Sequence, residues 1–135
     1  MTFSWKLVGR ADCLGAAAKA RECLARAGGS PRAAGELAVV VAELAYNAIR
    51  HAGGGECVLE VSRGEWSVTV RDEGPGFPPN VLADCGRTDG VQPRIGLGSG
   101  LACARRFAGS LAIENLEPTG ARVIARKQHL ERGAT

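Results

Sequence analysis

The element order that the sequence predicts, β-α-α-β-β-loop-α-β-β, belongs to an α+β domain: a two-layer α/β sandwich with a mixed, mostly antiparallel sheet and its helices on one face. Three observations carry this. Two pairs of stretches alternate apolar and polar residues with short turns between them, as hairpins do. Two helical stretches follow each other directly, so there is no clean βαβ alternation and a doubly wound sheet is disfavoured. At 135 residues the chain has the length of one domain, residues 1–135.

Taken in order, residues 3–8 predict a short first strand closed by Gly9. Residues 11–27 are rich in Ala, Leu, Arg and Glu, good helix formers, and Gly28-Gly29 supplies the stop. Ser30 as N-cap with Pro31 at the first helical position opens a second helix that runs to about Ala52 and ends at Gly53-Gly54-Gly55. Cys57-Leu59-Val61 and Trp66-Val68-Val70 are the inward rows of a hairpin turning at Arg63-Gly64-Glu65. Residues 74–100 read as a long loop with one helical turn near 80–83; in a small domain such a loop is functional or mobile. A helix over about 98–107 follows, then strands over 111–116 and 121–127 joined by a Glu117-Pro118-Thr119-Gly120 turn, and a frayed tail from Gln128.

Composition narrows the function. With 45% hydrophobic and 23% charged residues the chain has an ordinary globular make-up. A net charge of +3, with Lys and Arg scattered, is no footprint of a nucleic-acid binder, so no nucleic-acid partner is expected. The sequence shows neither a run of about 18 apolar residues nor an export leader, so no membrane partner and no secretion are expected. Five cysteines, an odd set without a C-x-x-C pair, argue against a disulfide framework or a structural metal and fit a cytoplasmic location. Glycine stands out at roughly twice its usual share of about 7%, with seven of the 19 between Gly74 and Gly100.

Three sites carry chemistry. On the second helix, Glu43, Asn47 and His51 follow at i, i+4 and i+8 and share a ridge bordering the apolar stripe of Leu37, Val40, Val41, Leu44 and Ala48. Such a ridge is commonly a solvated edge, but Asn is a poor residue for a helix interior and invites a special reason. Asp72-Glu73-Gly74-Pro75-Gly76 ends a strand, with Asp72 on the inward face of Trp66, Val68 and Val70. A buried carboxylate needs a partner, and the glycines let the backbone approach something closely, although Asp-x-Gly alone also marks a plain turn. Gly96-Leu97-Gly98-Ser99-Gly100-Leu101 opens a helix, where exposed N–H groups and the helix dipole favour phosphate. A dinucleotide-binding fingerprint would need a preceding strand, and a P-loop would need Gly-Lys-Ser/Thr; neither is present.

The order E-x-x-x-N, D-x-G-x-G, G-x-G-x-G-L resembles the GHKL (Bergerat-fold) ATPases, which include histidine-kinase catalytic domains, gyrase and MutL. Glu43-Leu44-Ala45-Tyr46-Asn47 with Ala52-Gly53, and the wording of the other two boxes, look most like the bacterial anti-sigma-factor and stress-response switch serine-protein kinases. The resemblance runs from about Gly9 to Lys127. It implies ATP and Mg²⁺ as cofactors. Asn47 would be the metal ligand, a neutral oxygen suited to a hard cation, and Glu43 the general base that deprotonates the attacking hydroxyl. Asp72 would accept a hydrogen bond from the adenine amino group, which gives its inward carboxylate a partner outside the protein. Gly74 and Gly76 would leave room for the base, while Gly96, Gly98, Ser99, Gly100 and Leu101 would shape the phosphate end and hinge a lid. The lid, about 84–95, is more charged here than in the switch kinases, and no lysine follows Asn47 at a position that some relatives use for phosphate. Arg50, His51, Arg87, Arg94 and Arg105 are the basic residues available for that task.

The resemblance implies a protein-serine/threonine kinase of a partner-switching module acting on a STAS-domain antagonist protein. The alternatives are an anti-sigma factor that acts mainly by sequestering a sigma factor, a detached histidine-kinase ATPase domain, and a non-catalytic nucleotide sensor. Against the histidine-kinase reading, no dimerisation and phospho-acceptor helices are expected ahead of the first helix. Retention of Glu43 argues against the sensor. Oligomeric state is left open by the residues.

Overall fold

Alternation of apolar and polar residues builds the sheet directly. The computed structural model describes residues 1–62, 64–79 and 101–128, with backbone only at 102 and 103. Strands β1 (Thr2–Leu7), β2 (Gly55–Ser62), β3 (Glu65–Asp72), β4 (Ser110–Asn115) and β5 (Ala121–Gln128) form one sheet in the order β1-β2-β3-β5-β4. Each of the four pairs is antiparallel, so among the described residues the mixed component of the expected sheet is absent. Cys57, Leu59 and Val61 of β2 face the same way as Trp66, Val68 and Val70 of β3, and all six are buried.

Helices α1 (Arg10–Arg26), α2 (Pro31–Ala52) and α3 (Leu101–Phe107) cover that face. α2 starts and stops where its capping residues predict. Ser30 is extended, its Oγ accepts from the Ala33 N–H at 3.0 Å, Pro31 needs no partner for a missing N–H, and Gly53 closes the end at φ 75°. The buried stripe of α2 includes Leu37, Val40, Val41, Leu44 and Ala48 and meets α1, α3 and the sheet. Trp66, Leu44 and Leu59 are almost wholly buried, each stabilising the fold by about 1.5–3 kcal/mol relative to an exposed position.

The first strand ends one residue earlier than its sequence pattern predicts. Val8 is 68% exposed because its N–H, with that of Gly9, donates to Asp12 Oδ2 at 2.8 and 2.9 Å, which diverts the chain from the ladder into the cap of α1. α1 accordingly begins at Arg10 and ends at Arg26, with Ala27 as its C-cap and Gly28 at φ 96°. β4 likewise stops at Asn115 rather than 116, and the Leu116 N–H instead donates to the Gly120 carbonyl at 2.9 Å, closing the predicted turn. The helical turn expected near 80–83 lies outside the described residues, as do residues 98–100 of the expected third helix. Among the described residues no helix is long and apolar enough to cross a membrane. Cys13, Cys23 and Cys57 are buried free thiols.

Candidate functional site

The ridge on α2 is not the uniform border that its spacing suggests. Glu43 is half-buried, Asn47 is 4% exposed and His51 is exposed. Asn47 therefore belongs to the buried stripe, and a solvated edge is excluded for it. Its Oδ1 is shielded from solvent and has no hydrogen-bond partner among the described residues. A buried acceptor in that state costs about 1–3 kcal/mol, so a ligand that engages it gains accordingly. One turn earlier, Glu43 lines an open groove of about 380 Å³ between α1 and α2, together with Arg10, Cys13, Leu14, Tyr46 and Arg50. The guanidiniums of Arg10 and Arg50 lie 5.6 and 5.8 Å from the centre of the Tyr46 ring, within cation–π range. Arg50 and His51, both proposed from sequence for phosphate, are exposed on the last turns of α2.

At the end of β3, Asp72 is 8% exposed, on the inward row where alternation puts it. Its expected lack of a protein partner is corrected: the Gly74 N–H donates to Asp72 Oδ1 at 2.9 Å. An ionised carboxylate accepts about four hydrogen bonds, so this one does not exhaust it. Asp72 and Glu73 also border an open depression of about 660 Å³ with Lys6, Gly53 and Gly54, which Asn47 and Glu43 do not line.

The loop after Asp72 is tightly fitted. A Cβ on Gly74 would stand 2.5 Å from the Ala52 Cβ, so glycine lets the loop rest on the last turn of α2. Gly76 has φ 85°, and a Cβ there would meet the Asn115 side chain at 2.7 Å. Both glycines thus have a reason in the protein's own packing, beside the room for a base expected of them. Asn115 holds the loop at two points: the Phe77 N–H donates to its Oδ1 at 2.8 Å, and its Nδ2 donates to the Phe77 carbonyl at 3.0 Å. Thr119 Oγ1 donates to the Gly74 carbonyl at 2.8 Å. Sequence reading passed over these two residues. The signals available were an Asn at a strand end and a Thr inside a Pro-Thr-Gly turn, and neither points to a loop 38 or 45 residues away.

Gly74 on Ala52 brings the first two boxes together. Ala52 lies five residues beyond Asn47 and nine beyond Glu43, or about 7.5 and 13.5 Å along the helix at about 1.5 Å per residue. Of the third box, Leu101 is fully buried at the start of α3, which packs on α2. Gly96, Gly98, Ser99 and Gly100, the lid at 84–95, and Arg87 and Arg94 lie outside the described residues. Arg105, on α3, is half-buried. Among the described residues no three His, Cys, Asp or Glu side chains cluster to hold a metal. A Mg²⁺ ion carried on phosphates needs no such cage, since it keeps waters and takes one or two protein oxygens. A shielded amide oxygen such as Asn47 Oδ1 fits that requirement.

The pattern of the histidine kinase-like ATPase domain matches residues 11–127. The chain belongs to that family. The resemblance to GHKL ATPases read from the three boxes therefore holds, and the domain is of an ATP-binding, kinase-like type. Among curated proteins it is similar to sensor protein CseC of Streptomyces avermitilis, 39% identical over 90 residues. That match takes in 61% of this chain and 18% of the length of CseC. Among solved structures, a chain of the SiaB-SiaC complex from Pseudomonas aeruginosa is similar at TM-score 0.72 and 13% identity, with 93% of this chain and 88% of that one covered. The catalytic domain of histidine kinase ThkA is similar at TM-score 0.57 and 16% identity, with coverage of 98% and 99%. At such identities the likeness is one of fold, and this ATPase-family fold is the α+β sandwich described above.

Proposed function

We propose that this ATPase-family domain is an ATP-dependent protein-serine/threonine kinase of a bacterial partner-switching module, acting on a STAS-domain antagonist protein with Mg²⁺ as cofactor. One observation carries the reading: with Gly74 seated on Ala52, the Asp72 loop, Asn47 and Glu43 follow one another along α2. That order suits an extended nucleoside triphosphate, with the base by Asp72, the phosphates by Asn47 and the reacting end by Glu43.

In this reading Asp72 accepts a hydrogen bond from the adenine amino group beside the one from Gly74. Asn47 Oδ1 would hold Mg²⁺, which when bound spreads the charge of the phosphates. Glu43 takes the proton of the incoming serine or threonine hydroxyl onto a carboxylate oxygen as that hydroxyl oxygen bonds to the γ-phosphorus. The bond from γ-phosphorus to the β–γ bridging oxygen breaks, and ADP leaves. The groove that Glu43 lines gives a partner's hydroxyl an approach from outside the helix layer.

That a similar fold occurs in a complex of two proteins, SiaB and SiaC, supports a protein partner. The fold shared with the catalytic domain of histidine kinase ThkA favours a second reading, in which the acceptor is a histidine. Capturing the partner from the native cell and incubating it with γ-labelled Mg·ATP decides between them. An acid-stable label on a captured STAS protein is the expected result. An acid-labile label supports the histidine reading, and capture of a sigma factor with no label supports sequestration.

A further inference from the structure

Strand register brings the β4–β5 hairpin to the end of β3. Asp72 pairs with Ala121, which pairs with Asn115, so the three stand in one row across the sheet. Beyond that row the turn leans on the loop that follows Asp72. Gly120, at φ 115°, lies so close that a Cβ there would stand 2.5 Å from the Asp72 carbonyl oxygen. One residue earlier, Thr119 Oγ1 donates to the Gly74 carbonyl at 2.8 Å, while the Gly74 N–H donates to Asp72 Oδ1 at 2.9 Å.

Gly74 is thus gripped at both of its polar groups. Contact with Ala52 requires a glycine there, and glycine has the most backbone freedom to lose on ordering. The Thr119 hydroxyl takes up part of that freedom and so helps to fix where the Gly74 N–H points.

We propose that Thr119 is a positioning residue that sets base selectivity: by holding Gly74, it keeps the Gly74 N–H on one oxygen of Asp72 and leaves the carboxylate a seat for a single donor. The inference rests on the reading that Asp72 meets the base of the nucleotide. Adenine offers one donor group on its pairing edge, the exocyclic amine, beside an acceptor, N1. Guanine offers two donors side by side, N1–H and its 2-amino group, which suit a carboxylate whose two oxygens are both open. With Oδ1 engaged by Gly74, the two-oxygen grip on guanine is lost and the one-donor contact with adenine is kept. Guanine's O6, set where adenine carries its amine, would instead face a carboxylate oxygen, acceptor against acceptor.

The same N–H would orient an amide at position 72. Its oxygen would stay on Gly74 and its NH₂ would face the base, wrong for the adenine amine and right for guanine O6. Releasing Gly74 should therefore have opposite effects on ATP binding with a carboxylate and with an amide at that position. A contact that only stiffens the loop would weaken binding in both.

Calorimetric titration of the full chain with Mg·ATP and Mg·GTP tests this. Wild type should prefer ATP by about tenfold or more, the worth of one charge-assisted hydrogen bond. Thr119→Val keeps the side-chain shape without the hydroxyl and should narrow that preference by about three- to tenfold, and Thr119→Ser should keep it within about twofold of wild type. In phosphotransfer the change should fall on KM for ATP and leave kcat in place, since Glu43 lies at the other end of the site. Asp72→Asn should weaken ATP binding by about tenfold or more, and adding Thr119→Val to it should strengthen ATP binding by about threefold, as the released amide turns its oxygen to the amine. An ATP-to-GTP ratio unmoved by Thr119→Val, a Thr119→Ser variant that behaves like Thr119→Val, or a double variant that binds ATP more weakly than Asp72→Asn alone would each overturn the inference while leaving Asp72 at the base. If Asp72→Asn binds ATP as wild type does, the placing of the base by Asp72 falls and the inference falls with it.

Discussion

Asn47 sits inside a 22-residue helix with core residues on both sides of it, whereas Asp72 ends a strand and leads into a loop whose shape depends on side chains 38 and 45 residues further on. At the helix end, the backbone is fixed by the Ser30 and Gly53 caps and by the packing of Leu37, Val40, Val41, Leu44 and Ala48, so the half-buried Glu43 is separable from the fold. At the loop end, the groups that would meet a base are held by glycine contacts and by the Asn115 clamp. Chemistry and fold are the same contacts there, and one substitution should disturb both.

The largest effect expected from this contrast is at the helix end. Glu43→Ala should lower phosphotransfer by about 10²- to 10⁴-fold, while ATP affinity stays within about threefold of wild type. The melting temperature should hardly move. Single-turnover transfer of labelled phosphate, calorimetric titration with Mg·ATP and a thermal melt read the three quantities. Transfer at the wild-type rate would remove Glu43 from the chemistry.

At the loop end the quantities should move together. Gly74→Ala forces the loop off Ala52, at about 1–3 kcal/mol for overpacking, and ATP binding should weaken in parallel. Asn115→Ala removes two exposed hydrogen bonds and should cost less, about 1 kcal/mol. Urea unfolding and calorimetry on both variants sharpen the comparison. If stability falls but ATP affinity does not, the two ends differ less than the geometry says.

How much of this was legible in the sequence follows the same division. Ser30-Pro31 and Gly53 are local signals with local causes, and α2 came out with both its ends in place. The ridge of Glu43, Asn47 and His51 was also readable, but not the burial of Asn47. An angle around a helix axis cannot say how wide the buried stripe is, because α1, α3 and the sheet decide that by packing on α2. Val8 was misread because a period-two pattern does not reveal that Asp12 takes the two N–H groups ahead of α1. Asp72 was correctly put on the inward row, yet its bond to Gly74 depends on the turn that follows, which the pattern leaves open. Asn115 and Thr119 act across the fold, and no periodicity encodes such a contact.

The smallest effect belongs to neither end and serves as a control. Backbone N–H groups of Gly9 and Val8 hold the Asp12 carboxyl below its usual value. A carboxyl whose folded-state pKa is lowered stabilises above its unfolded pKa and loses that contribution as pH falls through the folded one. Wild type should therefore be slightly more stable than Asp12→Ala at neutral pH, with the difference shrinking below about pH 4. Denaturant midpoints at a series of pH values check it. Nucleotide binding should be unchanged at neutral pH, since α1's cap touches neither end.

β1 has a further consequence through its place in the strand order. It is six residues long, lies at one margin of the sheet, and is pinned at its start by mutual hydrogen bonds between Met1 and Val61. Behind it runs β2, eight residues with Cys57, Val58, Leu59 and Val61 and no proline. Stripping β1 away would turn β2 into an edge strand, with a row of unpaired N–H and C=O groups beside apolar side chains, the kind of surface on which chains aggregate edge to edge. The short first strand thus acts as a cover for a more dangerous neighbour, and damage to it would be felt as lost solubility before it was felt as a lost site.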